Sequence, residues 1–344
     1  MYAIKEKNIK ELSIIINDFE KETKELEKIK FYKQKIIKNF YHIFIPKEKR
    51  LLMEKNADVC QQKHLYGCWK ALAKLYFNND LPEITIKSKK NFPTQKIIWQ
   101  YWGQGINNNI PEIVQTCFDS VDKFKNDYVI IRLDDETVAD YIEFPDFIWK
   151  KRKNHQFKHA FFADLLRLTL LYLYGGIWID ATVLLTNQID DRILNQDFFM
   201  FQRDFNCQNR DFWRNINANY FEWSNDHHIN VLNSFIVSRK SNNITKDCLQ
   251  LLLNFWKNQN NITHYFFFQI MFDLLLKEYI KDANLLIIDD TLPHLLFSKI
   301  DKEFINQEYN EILLKSNIHK LTYIKSSILS SSTWYGEIKN LIYH

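Results

Sequence analysis

An α/β fold built on an open, largely parallel sheet is what this 344-residue sequence predicts. Three observations carry that reading. From about residue 96 onward, short β-branched and aromatic runs alternate with longer helical patterns, the order that generates parallel strands with crossover helices. The stretch HAFFADLLRLTLLYLYGGIWIDATVLL, His159 to Leu185, reads as a helix apolar almost all round, a double-glycine stop and a covered strand. Only 6 Gly and 6 Pro are present, too few for a many-turned all-β fold. With 46% hydrophobic and 15% aromatic residues a sizeable core can form, which excludes wholesale disorder.

The elements follow in order. Residues 8–46 read as helix, with Leu12, Ile16, Phe19, Leu26 and Ile29 three to four residues or a multiple apart and Ile36, Phe40, Ile43 and Phe44 continuing the stripe to Pro46. A second helical pattern spans His64 to Phe77. The polar run KSKKNFPTQ, Lys87 to Gln95, reads as a linker and divides a helical extension (1–90) from an α/β domain (91–344). Lys96 to Trp102 forms a strand, Pro111 opens a helix over IPEIVQTCFDSVDKF, and Asp127 to Leu133 forms the next strand. After the helix–GlyGly–strand unit come strands at Phe198 to Gln202 and Asn233 to Ser238, then two helices, and a Ser-rich, aromatic tail.

The formal charge of +4 is unevenly spread. Residues 1–90 hold 20 Lys/Arg against 12 Asp/Glu, a net of +8, which leaves −4 for residues 91–344. A basic front end suits an anionic surface, and peripheral contact with the inner face of the cell membrane through residues 1–90 is one expectation; a solvated helical face is the other. No nucleic-acid partner is expected. The five scattered cysteines form no Cys-x-x-Cys pair, so neither a zinc ribbon nor a disulfide framework is indicated. The charged opening MYAIKEKNIKEL lacks a signal peptide's apolar region, and the longest uncharged run falls short of the roughly 18 residues that span a bilayer. A cytoplasmic protein is expected.

Phosphate-loop and H-E-x-x-H motifs are absent, and Gly103-Gln104-Gly105 lacks the third glycine of a dinucleotide fingerprint. His155 and His159 are spaced to share a metal or simply to lie on an exposed first turn, and the adjacent His227 and His228 read as solvated loop residues. The chemistry concentrates in the central unit. Asp164 and Arg167 lie one turn apart on one helical side. Asp180 interrupts an apolar strand, where a lone carboxylate costs roughly 2 to 5 kcal/mol unless a cation or donor meets it. Each has a plainer explanation: a buried Asp164–Arg167 pair, Asp180 as a strand-end cap, Trp102 as core.

The run ADLLRLTLLYLYGGIWIDATVLL, with PTQKIIWQYWGQG upstream and NSFIVSRK and HYFFFQIMFDLL downstream, resembles the glycosyltransferases of nucleotide-sugar (A-type) fold. More narrowly it resembles the bacterial capsular polysaccharide synthesis family, related to Och1-type mannosyltransferases and the glycosylating domain of clostridial toxins. The resemblance covers about residues 91–340. It implies a nucleotide-diphosphate-sugar donor and a polysaccharide or lipid-linked oligosaccharide acceptor, with retention of anomeric configuration. It further implies that Trp102 stacks on the nucleobase with Gln100 beside it in the donor site, and that Asp164 and Arg167 hold ribose, sugar or diphosphate. Asp180 matches the first carboxylate of a D-x-D element carrying a divalent cation, Mn2+ or Mg2+, while Thr182 stands in place of the second. Asn233 lies in the strand flanking the donor sugar, and His319 matches a late metal or phosphate ligand. His264, Tyr265 and Gln269 near a helix start could face the acceptor. A degenerate transferase acting as a nucleotide-sugar-binding scaffold, and an effector that glycosylates protein, are the alternatives.

Overall fold

The computed structural model describes residues 6–106, 109–153, 157–281, 283–322 and 332–343. Helices α1 (Glu6–Phe19), α2 (Lys24–Tyr32), α3 (Lys38–Phe44) and α4 (Lys47–Phe77) form the N-terminal part. The single helix expected over 8–46 is thus three. Its stripe also divides: Ile15, Ile16, Phe19 and Ile29 are buried, whereas Ile36, Phe40, Ile43 and Phe44 face outward. Helix α4 is far longer than expected, 31 residues or roughly 45 Å at 1.5 Å per residue.

A short antiparallel ribbon pairs β1 (Lys87–Ser88) with β4 (Ile142–Glu143), the latter reached after β2 (Ile97–Tyr101), α5 (Glu112–Phe124) and β3 (Val129–Leu133). Helices α6 (Asp146–Arg152) and α7 (His159–Tyr174) lead into β5 (Gly176–Ile179). Gly175 and Gly176 have φ of 74° and 105°, and a Cβ on Gly176 would lie 2.3 Å from the Ile97 carbonyl oxygen. Only glycine lets α7 end and the chain enter the sheet so close to β2. Then follow β6 (Val183–Leu185), α8 (Asp191–Leu194), β7 (Phe198–Gln202), α9 (Arg210–Asn217), β8 (Val231–Ser238), α10 (Asn243–Asn258), α11 (Phe267–Glu278), α12 (Asn306–Leu313), β9 (Ile318–Lys320) and α13 (Trp334–Tyr343).

The central sheet has the order β3-β2-β5-β8-β7. Strands β3, β2 and β5 are mutually parallel, and β8 runs antiparallel to both neighbours, so β8 alone opposes the rest. This is the mostly parallel α/β sheet expected. The stretch IWIDATVLL, read as one strand, is two. The chain turns at Asp180, where the Val183 amide donates to the Asp180 carbonyl, and β6 then pairs with β9 in a separate two-stranded sheet.

The boundary expected near residue 90 is not a break in packing. Leu65, Trp69 and Leu72 of α4 belong to the same buried cluster as Ile97, Leu166 and Phe268, and the Trp69 indole donates to the Phe267 carbonyl at 3.1 Å. A second cluster joins α5 and β6 to the C-terminal elements through Phe118, Leu184, Leu321 and Trp334. Trp102 lies against this second cluster, just past the end of β2.

Candidate functional site

Helix α7 runs back along the sheet, so its N-terminal half lies beside the carboxyl ends of β2 and β5, where open α/β sheets take their ligands. A cavity of about 650 Å³ opens there, lined by Trp102, Asp164, Arg167, Asp180, Asn233 and Lys320 among others. That volume suits a ligand of nucleotide-sugar size.

Four of the expected residues form one hydrogen-bonded network. The Arg167 Nη1 donates to the Asn233 carbonyl at 2.7 Å and lies 3.1 Å from Asp164 Oδ1. Its Nη2 reaches Asp180 Oδ1 at 3.2 Å. The guanidinium also lies over the Trp178 ring, 5.2 Å from the centroid. Asn233 donates to Asp164 at 2.8 Å and accepts from Gln269 at 3.1 Å. Asp180 receives the Trp178 indole N–H at 2.7 Å, and its backbone amide donates to the Ser234 carbonyl. The antiparallel course of β8 is what places Asn233 and Ser234 beside the end of β5. Asp164 is buried, and that burial pushes its carboxyl up to about 7 despite the neighbouring Arg167.

The site also holds a cation that sequence reasoning missed. Lys320, the last residue of β9, donates to the Thr182 hydroxyl and lies 3.6 Å from Asp180 Oδ2. The β6–β9 register sets it there, with Val183 opposite Lys320 and the Leu321 amide bonded to the Thr182 carbonyl. The only signal in the sequence is a lysine in the short run IHKL, 140 positions after Asp180. The pocket rim adds Tyr101 and His159, held by Asp135 and Arg152, which were likewise unmarked as donor-site residues.

Two expected residues do not reach the cavity. Gln100 is buried on β2, where its Oε1 accepts from Arg132 of the neighbouring strand at 2.9 Å, and Tyr101 and Trp102 line the pocket without it. His319 pairs with Leu184 across β6–β9 and meets Thr186, and burial holds its imidazole down to about 3, so it stays neutral. Of the acceptor candidates, Tyr265 and Gln269 line the cavity, while His264 instead bonds Asp58 at 3.0 Å. His155 lies outside the described residues, and His159 bonds at the rim. The supposedly solvated pair is buried: His228 bonds Asp273 at 2.8 Å and His227 the Tyr220 carbonyl at 3.0 Å.

Where a D-x-D element would offer the implied divalent cation a second carboxylate, this site has the Thr182 hydroxyl with the Lys320 ammonium on it. Among the described residues no three His, Cys, Asp or Glu side chains are placed to hold a metal ion. The Lys320 ammonium already stands between these two groups, donating to the Thr182 hydroxyl and lying 3.6 Å from Asp180 Oδ2.

The profile of the family described as capsular polysaccharide synthesis protein matches residues 47–338. The chain belongs to that family. The match spans the helix–GlyGly–strand unit and every residue of the network, and it begins within α4, across the expected domain boundary. Among curated proteins the chain is similar to the O-glycosyltransferase braB of Annulohypoxylon truncatum, 23% identical over 185 residues, covering 52% of this chain and 41% of the relative. It is also similar to the glycosyltransferase afumC of Aspergillus fumigatus, 28% identical over 103 residues, covering 27% and 26%. The chain thus spans less than half the length of these relatives. Among solved structures it is similar to a chain described as PaToxG glycosyltransferase, at 13% identity and a TM-score of 0.34, covering 78% of this chain and all of that one.

Proposed function

We propose that this member of the capsular polysaccharide synthesis family transfers a sugar from a nucleotide-diphosphate donor to a saccharide acceptor of a surface polysaccharide. The observation that carries the reading is the buried Asp164–Arg167–Asp180–Asn233 network at the carboxyl end of the sheet. Breaking the bond between sugar and diphosphate leaves negative charge on the departing phosphate. A guanidinium preset by two carboxylates and a carbonyl meets that charge without reorganising. Its buried Nε has no hydrogen-bond partner among the described residues, so one donor is unspent. Trp102 offers a ring face at the rim for the nucleobase.

Among the described residues the cavity-lining carboxylates are Asp164 and Asp180, and both lie against cations. Neither is free to act as a nucleophile or general base toward the acceptor. A front-face transfer, in which the departing phosphate takes the acceptor hydroxyl's proton, fits this inventory and the retention implied by the resemblance. The test is release of nucleoside diphosphate from a panel of nucleotide sugars by the full chain. One donor is expected to be cleaved, and Arg167→Met to abolish the release; no release from any donor would refute the proposal.

The acceptor side extends this reading to an anionic bilayer. Ile36, Phe40, Ile43 and Phe44 are 61% to 85% exposed, and Leu51 and Leu52 on the first turns of α4 are exposed beside them. Lys35, Lys38, Lys47 and Lys49 are exposed in the same segment. Exposed apolar side chains interspersed with exposed lysines suit acyl chains beneath anionic headgroups, each cation near such a surface contributing about 1 kcal/mol. No helix among the described residues is long and apolar enough to cross a membrane, so this contact would be peripheral.

A further inference from the structure

We infer that Lys320 supplies the second positive charge of the donor site, so that the diphosphate is held between two side-chain cations, Arg167 and Lys320, and needs no divalent metal. The inference rests on the transferase reading and deepens it. In a D-x-D site two carboxylates gather a cation, and the cation gathers the phosphates. In this chain the second carboxylate is Thr182, a neutral hydroxyl, and the ammonium of Lys320 has settled on it. The same ammonium is 3.6 Å from Asp180 Oδ2, while Arg167 holds Asp180 Oδ1 from the other side at 3.2 Å.

One carboxylate therefore lies between two cations, both of which line the cavity. Asp180 cannot neutralise both, so the group as a whole keeps positive charge unless Asp164, joined to Arg167, contributes its own. An incoming diphosphate supplies the missing anion. The two cations differ in what they can do: the guanidinium is fixed by Asn233, Asp164 and Trp178, whereas the Lys320 ammonium, about one-fifth exposed, sits on a flexible four-carbon stem. Arg167 thus presents a rigid fork, and Lys320 a mobile point charge able to follow the phosphate as its bond to the sugar lengthens.

The backbone shows why the substitution is built in. A lysine in place of a metal must arrive at one position without a metal's directional bonds. Here the Leu321 amide to Thr182 carbonyl bond, at 2.8 Å, and the Val183–Lys320 register deliver it. His319, one residue earlier, points to the opposite face and bonds Thr186, so the strand offers the pocket an ammonium and withholds an imidazole ligand.

The test is calorimetric binding of uridine and guanosine di- and monophosphates to the full chain, in chelator and in manganese. At least one diphosphate is expected to bind in chelator, with manganese changing its affinity by less than about threefold. Lys320→Met should weaken that diphosphate tenfold or more and leave the monophosphate nearly unchanged, while Lys320→Arg retains most of the affinity. Thermal melts of both variants distinguish lost binding from lost folding. Diphosphate binding that appears only with manganese, or is indifferent to Lys320→Met in a folded protein, would overturn the inference and leave the transferase reading standing. Absence of binding by every nucleotide under both conditions would bring down both.

Discussion

Replacing Asp164 with asparagine isolates a carboxyl whose ionisation the fold disfavours. Asp164 is 6% exposed, accepts from Asn233 and lies 3.1 Å from Arg167. Burial, with some help from Asp180, pushes it from its ordinary 3.8 up to about 7, against the opposing pull of Arg167. Between about pH 4 and pH 7 the folded state consequently holds more proton than the unfolded one, and stability falls as pH rises through that window. Some three units at about 1.4 kcal/mol each put the loss on the order of 4 kcal/mol. Asparagine keeps the shape and an acceptor for Asn233 but carries no titrating proton. Urea unfolding of wild type and Asp164→Asn from pH 4.5 to 8.5 separates this carboxyl from all others, since the rest titrate alike in both. The variant's stability relative to wild type is expected to climb by a few kcal/mol up to about pH 7 and to level off above it. A difference constant to within about 0.5 kcal/mol over the whole range would refute the account of Asp164.

Three further outcomes are expected. Trp102→Ala should raise the donor's dissociation constant about tenfold or more, with Trp102→Phe recovering much of it; equal affinities by calorimetry would return Trp102 to the core. Arg203→Met should cost about 3 to 5 kcal/mol in urea unfolding while sparing donor affinity, because it strands Asp290 in a fully buried pair outside the cavity. Phe40→Ser with Phe44→Ser should abolish co-sedimentation with phosphatidylserine vesicles at low salt without lowering the melting temperature, since both side chains face outward; vesicle binding unchanged by the pair would place the membrane contact elsewhere or nowhere.

Much of the sheet was legible because its strands are short apolar runs with clear ends: 97–101, 129–133 and 198–202 lie where expected, and α7 follows its apolar stretch. Asp164, Arg167 and Asp180 could be picked out for the same reason, as charged groups set in apolar elements that bury them, whereas Asn233 came only from the resemblance. What failed was tertiary. The break at Asp180 depends on the turn it makes beside Ser234, and a run apolar on both sides carries no mark of it. The interruptions of the N-terminal helix contain neither Gly nor Pro, so a stripe at helical spacing read straight through them. Gln100 is tied up by a cross-strand partner, Arg132 of β3, that no local pattern marks. Lys320 sits in a strand of three residues, too short for any periodicity, and only the β6–β9 pairing brings it to the site.

The measurement that bears most directly on glycosyl transfer is mass spectrometry of a saccharide acceptor incubated with the full chain and the donor that it cleaves. The account predicts that the acceptor gains the mass of one sugar residue, that nucleoside diphosphate appears in equal amount, and that Asp180→Ala yields neither while still unfolding cooperatively. Acceptor mass unchanged with every donor, or a product formed as fast by Asp180→Ala as by wild type, would contradict it.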